Sequence, residues 1–260
     1  MNGNHKARIE EIIRNGYDFK FGDYLSKGFS LLQKNLGGFI LFTVVYVILS
    51  AVVSFIPLVG PIANSLFLSP ALTVGLYLVA RKLDKGEGTE FGDFFKGFDF
   101  VGQLALTALV MIGIIIASLI PFMIAVGGTG IFGWYMDALQ NPINAGEPPS
   151  LPFWSFILLV PAIYLGVAYS WSYLFVAFYK MSFWDALESS RKLISQKWVT
   201  YFAFSIVLGL IAAAGLILLC VGILASVPAI YCMQYAAFED VTKLNAETEG
   251  GSDIEQHLVD

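Results

Sequence analysis

Three short phrases recur along the chain, each centred on an aspartate: Phe21-Gly22-Asp23-Tyr24-Leu25, Phe91-Gly92-Asp93-Phe94-Phe95 and Phe183-Trp184-Asp185-Ala186-Leu187. A solitary carboxylate in this setting suits electrostatic work rather than bond-making. The first turn of a helix leaves backbone N–H groups without partners and carries positive partial charge, so an acid there is stabilising. Asp23, Asp93 and Asp185 are therefore read as acids of helix first turns. Ser182 stands three residues before Asp185, the spacing of a capping box. Basic residues come next: Lys27 and Lys34 after the first phrase, Arg191, Lys192 and Lys197 after the third. With Phe and Leu entering the acyl boundary beside them, these five cations are placed to contact lipid phosphates. Two readings stay open: helices that merely anchor the apolar segments downstream of them, or a specific head-group or protein site.

Other chemistry is scarce. The two histidines, His5 and His257, lie far from any apolar run, which argues against an imidazole-built metal centre inside a membrane. Serine and cysteine nucleophiles have no histidine nearby, and Cys220 and Cys232 fall in an apolar stretch where small packing residues are common. Gly127-Gly128-Thr129-Gly130 lacks both the spacing and the strand–helix context of a nucleotide fingerprint. The expectation is a non-enzymatic chain with no catalytic residue, no metal, no cofactor and no nucleic-acid partner.

The elements that must carry these residues emerge from composition. Only 13% of the 260 residues are charged and 57% are hydrophobic, with a mean hydropathy of +0.72. Soluble domains carry about 25% charged residues, so the natural solvent of this chain is a bilayer. About 20 apolar residues cross the hydrocarbon core, and six windows qualify: 38–56, 61–80, 100–121, 153–179, 199–219 and 222–238. None holds a charged residue. Pro57 and Pro61 divide the first pair. The run from Trp198 to Phe238 would be about 60 Å long as one helix, twice the membrane, and must fold back near Cys220-Val221-Gly222.

Basic residues gather in cytoplasmic loops. Of the fifteen, six precede the first window, four (Arg81, Lys82, Lys85, Lys96) lie between the second and third, four (Lys180, Arg191, Lys192, Lys197) between the fourth and fifth, and Lys243 lies after the sixth. The pattern predicts both termini inside. The fold class expected is all-α: a polytopic transmembrane bundle of six spanning helices with three cytoplasmic interfacial amphipathic helices. Residues 1–19 form a cytoplasmic segment. Residues 20–240 form the membrane domain, in three helix-plus-hairpin units over about 20–82, 90–180 and 182–240. Residues 241–260 form an acidic tail expected to be disordered. The polar start argues against a cleaved signal peptide, and no lipidation signal is expected.

Small residues recur every four positions (Ala162, Gly166, Ser170; Ser205, Gly209, Ala213; Gly113, Ala117), a pattern that lets helices approach closely in lipid, within one bundle or between copies. Pro70, Pro161 and Pro228 fall inside windows and are candidate kinks. The one sizeable outer loop, 122–152, is either re-entrant or an interface-hugging connector; Trp134, Tyr135 and, just beyond, Trp154 suit the interfacial belt.

The segment Met181-Ser182-Phe183-Trp184-Asp185-Ala186-Leu187-Glu188-Ser189-Ser190, with Lys197-Trp198 after it, resembles the start of the last hairpin in a broad group of bacterial membrane proteins. So does Leu218-Leu219-Cys220-Val221-Gly222-Ile223-Leu224 running to Pro228. That group includes the membrane domain fused to some glycerophosphodiester phosphodiesterases. The likeness covers about 60 residues; Phe238-Glu239-Asp240 departs from it, since relatives often carry a Tyr-Arg pair there. It implies a six-helix bundle at the bacterial inner membrane and supplies no catalytic residue. The function expected is a membrane-embedded scaffold or accessory subunit contacting membrane lipids and a membrane-protein partner. The alternative is a transporter or flippase for a neutral or amphipathic solute.

Overall fold

A computed structural model describes residues 2–141, 146–217 and 222–245. Helices make up its regular structure, with no strand among the described residues. In chain order these are α1 (Asn2–Asn15), α2 (Phe21–Lys34), α3 (Leu36–Ser54), α4 (Val59–Ala63), α5 (Ser69–Asp84), α6 (Val101–Gly127), α7 (Ile131–Gln140), α8 (Val160–Ala168), α9 (Ser172–Tyr179), α10 (Phe183–Gln196), α11 (Trp198–Ile217) and α12 (Ile223–Thr242). A π-helical stretch, Asn64–Leu68, leads into α5, and 3-10 helices, Phe91–Phe100 and Phe153–Leu159, lead into α6 and α8. The chain divides into two compact units: Met1–Leu109 with Ala168–Asp260, and Val110–Val167.

By length and composition, five helical stretches are apolar enough to cross a membrane: Leu36–Ser54, Val59–Asp84, Phe91–Gly127, Phe153–Tyr179 and Trp198–Ile217. These helices are compatible with a multi-pass membrane protein. The sixth window lies on α12, which has the length but is diluted by Gln234, Glu239 and Asp240. α11 and α12 are separate helices; Cys220 and the rest of 218–221, like 246–260 of the tail, lie outside the described residues.

Within each hairpin the second member carries a buried helix, α5, α9 or α12, although Phe153–Leu159 and α8, ahead of α9, are largely exposed. The first members turn apolar side chains outward: Val52 and Phe55 at the end of α3 are 61% and 84% exposed, and Val199 and Leu210 of α11 are 74% and 63% exposed. Such surface is stable against acyl chains and not against water. The second members, α5, α9 and α12, pack together. Phe175 and Phe178 of α9 meet Phe238 and Tyr235 of α12, with ring centroids 4.9 and 5.9 Å apart, and the guanidinium of Arg81 on α5 lies 5.2 Å from the Phe178 ring. Trp171 and Tyr201, both fully buried, close the cluster edge to face at 5.1 Å.

The three aspartate phrases each open a short helix, and each helix docks on the second member of another repeat. α2 packs on α12, Phe91–Phe100 on α5, and α10 on α9. Small residues permit the approach. A Cβ on Gly28 would lie 2.7 Å from the Met233 backbone, and one on Gly97 would lie 1.9 Å from the Ala71 carbonyl oxygen. A Cβ on Gly75 would lie 1.8 Å from the Phe94 carbonyl oxygen. On α10 the corresponding residue is Ser190. Its hydroxyl donates to the Ala168 carbonyl at 2.7 Å and accepts from the Trp171 N–H at 3.1 Å, bridging the break between α8 and α9. By contrast, Gly113, Gly166 and Gly209, three of the glycines in the four-residue patterns, have open space where a Cβ would stand.

Other expectations meet specific geometry. Pro70 sits in the first turn of α5, after the π-helical stretch, and Pro161 sits second in α8, where the 3-10 helix gives way to α-helix. Pro228 lies inside α12 and Pro121 inside α6. Residues 1–19 contain a helix, α1, which packs on α10 and buries Ile9. Within Val110–Val167, α7 occupies part of the segment 122–152. It leaves Phe132, Tyr135, Met136 and Leu139 exposed along one stripe, while the Trp134 indole N–H donates to the Gly146 carbonyl at 3.2 Å.

Candidate functional site

The charged residues collect where the short helices meet the ends of α5, α9 and α12. Lys27 of α2 reaches two carboxylates at 2.9 Å each: Asp84, the last residue of α5, and Glu239 of α12. Tyr235 donates to Asp84 at 3.1 Å and Asn245 donates to it at 2.7 Å. One residue further on, Asp240 accepts from the Tyr24 hydroxyl at 2.7 Å and pairs with Lys243 at 3.0 Å and Lys20 at 3.3 Å. Burial would lower the Lys27 ammonium, yet the contacts with Glu239 and Asp84 outweigh it and hold its pKa above the ordinary lysine value. Burial would likewise raise Asp240. The Tyr24 hydroxyl and the ammoniums of Lys243 and Lys20 win, and the carboxyl lies below its usual range.

At the second junction, Asp93 is 4% exposed and saturated. One oxygen takes Lys82 at 2.8 Å and the backbone N–H of Glu90 at 2.9 Å; the other takes Lys96 at 2.6 Å. Glu90 and Asp93 form a capping box at the start of the 3-10 helix. At the third junction, Ser182 caps α10 by accepting from the Asp185 N–H at 3.3 Å and donating to the Asp185 carboxylate at 3.0 Å. Arg191 grips Glu188 with two nitrogens at 2.9 and 2.8 Å, and Lys192 lies 3.4 Å from the same carboxylate. Arg191 is the main reason the Glu188 carboxyl stands below its ordinary value.

The residues singled out in the sequence therefore divide. Asp93 and Asp185 make capping contacts, while Asp23 is exposed in the first turn of α2 without one. Lys27 is committed to an ion-paired cluster, and Lys34 donates to the Leu83 carbonyl at 2.9 Å, near the C-terminus of α5. Arg191 and Lys192 share Glu188. Lys197 is exposed, with no side-chain partner among the described residues. The cluster around Lys27 is one that sequence reasoning misses: Asp84, Tyr24, Tyr235, Glu239 and Asp240 join α2, α5 and α12. Their signal is acids sitting at the very ends of apolar runs, where an unpaired carboxylate is costly.

What this arrangement does chemically is hold helices, through paired and capped charges. Among the described residues, no three His, Cys, Asp or Glu side chains converge to hold a metal ion. No protein-family model, curated protein or solved structure matches the chain.

Proposed function

We propose that this chain is a non-enzymatic protein of a bacterial inner membrane that organises or assists membrane-protein partners. In this reading it has six spans, α12 being the sixth, and both termini in the cytoplasm. α2, Phe91–Phe100 and α10 are its three interfacial helices against the inner leaflet, where Lys34, Arg191, Lys192 and Lys197 contact lipid phosphates and Lys27 serves helix assembly. The observation that carries the reading is the interior at the junction of α5, α9 and α12. Trp171, Phe175, Tyr201 and Phe238 are fully buried there and meet edge to face, which makes a rigid platform. The exposed apolar stripe of α7 fits an interfacial helix at the outer surface.

Affinity purification of the tagged chain from native membranes tests this. A membrane protein that co-purifies in fixed stoichiometry is expected. A solitary chain retaining neither partner nor lipid would count decisively against it. A fluorescent protein fused after Asp260 should be bright in cells, because that reporter matures in the cytoplasm.

One set of observations favours the second reading, a transporter or flippase for a neutral or amphipathic solute. The π-helical stretch Asn64–Leu68 and the break between α8 and α9 interrupt two of the apolar stretches. Polar side chains also meet between apolar helices, Tyr46 of α3 with Ser69 of α5 at 2.7 Å and Tyr77 of α5 with Gln234 of α12. Irregular backbone at membrane depth is a mark of transport sites. Proteoliposomes that scramble a labelled phospholipid no faster than empty vesicles would exclude the lipid form of this reading.

A further inference from the structure

Beside the Asp93 junction lies a cavity of about 310 Å³, near the lower bound of sites that hold small molecules. Its walls bring Arg81, Lys82 and Lys85 from α5 and the turn after it together with Lys96 of the 3-10 helix. Opposing them are Asp93 and Glu87, which leaves the lining two positive charges in excess; Leu78 is its apolar wall. The partial negative charge at the C-terminus of α5 accounts for Arg81 and Lys82 in its last turn. It extends to Lys85, the C-cap of α5, which has no side-chain partner among the described residues, but it does not account for Lys96, which arrives from a different element. Both oxygens of Asp93 are already occupied, and an ammonium has three donors. Lys82 and Lys96 thus keep donors for a ligand after pairing with Asp93. At the α2–α12 junction Asp84, Glu239 and Asp240 absorb the nearby cations, and at the α9–α10 junction Glu188 takes Arg191 and Lys192.

We propose that this cavity binds a phosphate group, with Lys82, Lys85, Lys96 and Arg81 as its cationic wall. A guanidinium and several ammoniums around one space suit the tetrahedral, multiply accepting phosphate. The source is either the head group of an anionic phospholipid or free phosphate. The lipid form rests on the proposed placement of these helices at the inner leaflet, with Leu78 lying toward the glycerol end.

Native mass spectrometry of the full-length protein in neutral detergent, titrated with phosphatidylglycerol, phosphatidylcholine and inorganic phosphate, tests the site. Wild type is expected to retain one phosphatidylglycerol in preference to phosphatidylcholine. Lys85→Gln should weaken that retention about fivefold, and Lys85→Gln with Lys96→Gln roughly by the square of that factor. Lys85→Gln alone disturbs no ion pair, so its effect is not a failure to fold. Displacement by inorganic phosphate without any lipid preference would support the same site and assign free phosphate as its source. Anion retention unchanged in both variants overturns the proposal. If retention is lost instead in Lys192→Gln with Lys197→Gln, the cavity falls and the inner-leaflet reading stands. Equal retention of both lipids by every variant, with no phosphate bound, removes the two together.

Discussion

Two glycines and one serine set how near the short helices come to their partners. At Gly28 and Gly97 an added methyl would collide with backbone atoms, which cannot swing aside as a flexible side-chain end can. Gly97→Val should therefore destabilise the protein by about 3 kcal/mol, the upper range for forcing volume into a packed site. Gly102→Ala, at a position in α6 where a Cβ meets nothing, should be neutral or stabilising by up to about 1 kcal/mol. Thermal unfolding in detergent compares the pair, and equal behaviour would refute the close crossing. The ion pairs make a second prediction. Asp240 titrates below its unfolded value, so its contribution is full above about pH 4 and is lost as the pH falls through the folded value. The stability gap between wild type and Asp240→Asn should accordingly narrow on acidification below about pH 4. Lys27 has the opposite sign: its raised pKa means its contribution persists at neutral pH and fades only above about pH 10.5.

At the scale of elements, spacing distinguishes the three short helices. The residue after each aspartate is buried: Tyr24, Phe94 and Ala186. So is the small residue that contacts the partner, and it comes four positions later in α2 (Gly28) and α10 (Ser190) but three positions later at Gly97. A four-residue step returns to one face of an α-helix, and a three-residue step does so in a 3-10 helix. The three-residue step from Phe94 to Gly97 accordingly goes with the tighter winding of Phe91–Phe100 relative to α2 and α10. The first-turn aspartates, the Ser182 cap of α10 and most of the apolar stretches were legible because each depends on local sequence. α1 was not, although Ile9, Ile12 and Ile13 carry helical spacing, because the polar residues around them outweigh that short stripe. Nor was the break at 169–171: Tyr169, Ser170 and Trp171 have no residue type that stops a helix, and the interruption is held by the distant Ser190. Ser190→Ala leaves the Trp171 N–H without that acceptor and should cost about 1–3 kcal/mol. Ser190→Thr, which keeps the hydroxyl but adds a methyl, should recover only part of it. Melting temperatures of the two variants test the role of the oxygen.

Over the whole unit built from Met1–Leu109 and Ala168–Asp260, the three docking contacts run in one cyclic order. The second repeat's short helix lies on the first repeat's α5, the third repeat's on the second's α9, and the first repeat's α2 lies on the third's α12. The sequence displayed the repeats but not this order, because a helix's partner is chosen by complementary surfaces far away in the chain. Gly28 reads as an ordinary glycine until Met233 is placed against it. The closing contact joins residues more than two hundred positions apart, and it is where Lys27 touches both Asp84 and Glu239. A carbodiimide condenses a lysine with a carboxylate only when they are already in contact, and it adds no spacer. Treating the full chain in detergent should yield cross-linked peptides joining Lys27 to Glu239 and Lys27 to Asp84, recovered by protease digestion and mass spectrometry. Lys27→Gln should remove these products while sparing the Lys192–Glu188 link within α10. If the only long-range product joins Lys27 to Asp84, α2 rests on its own hairpin and the ring is open. Recovery of the Lys27–Glu239 peptide at dilutions where copies do not meet establishes that the first and last repeats close on each other within one chain.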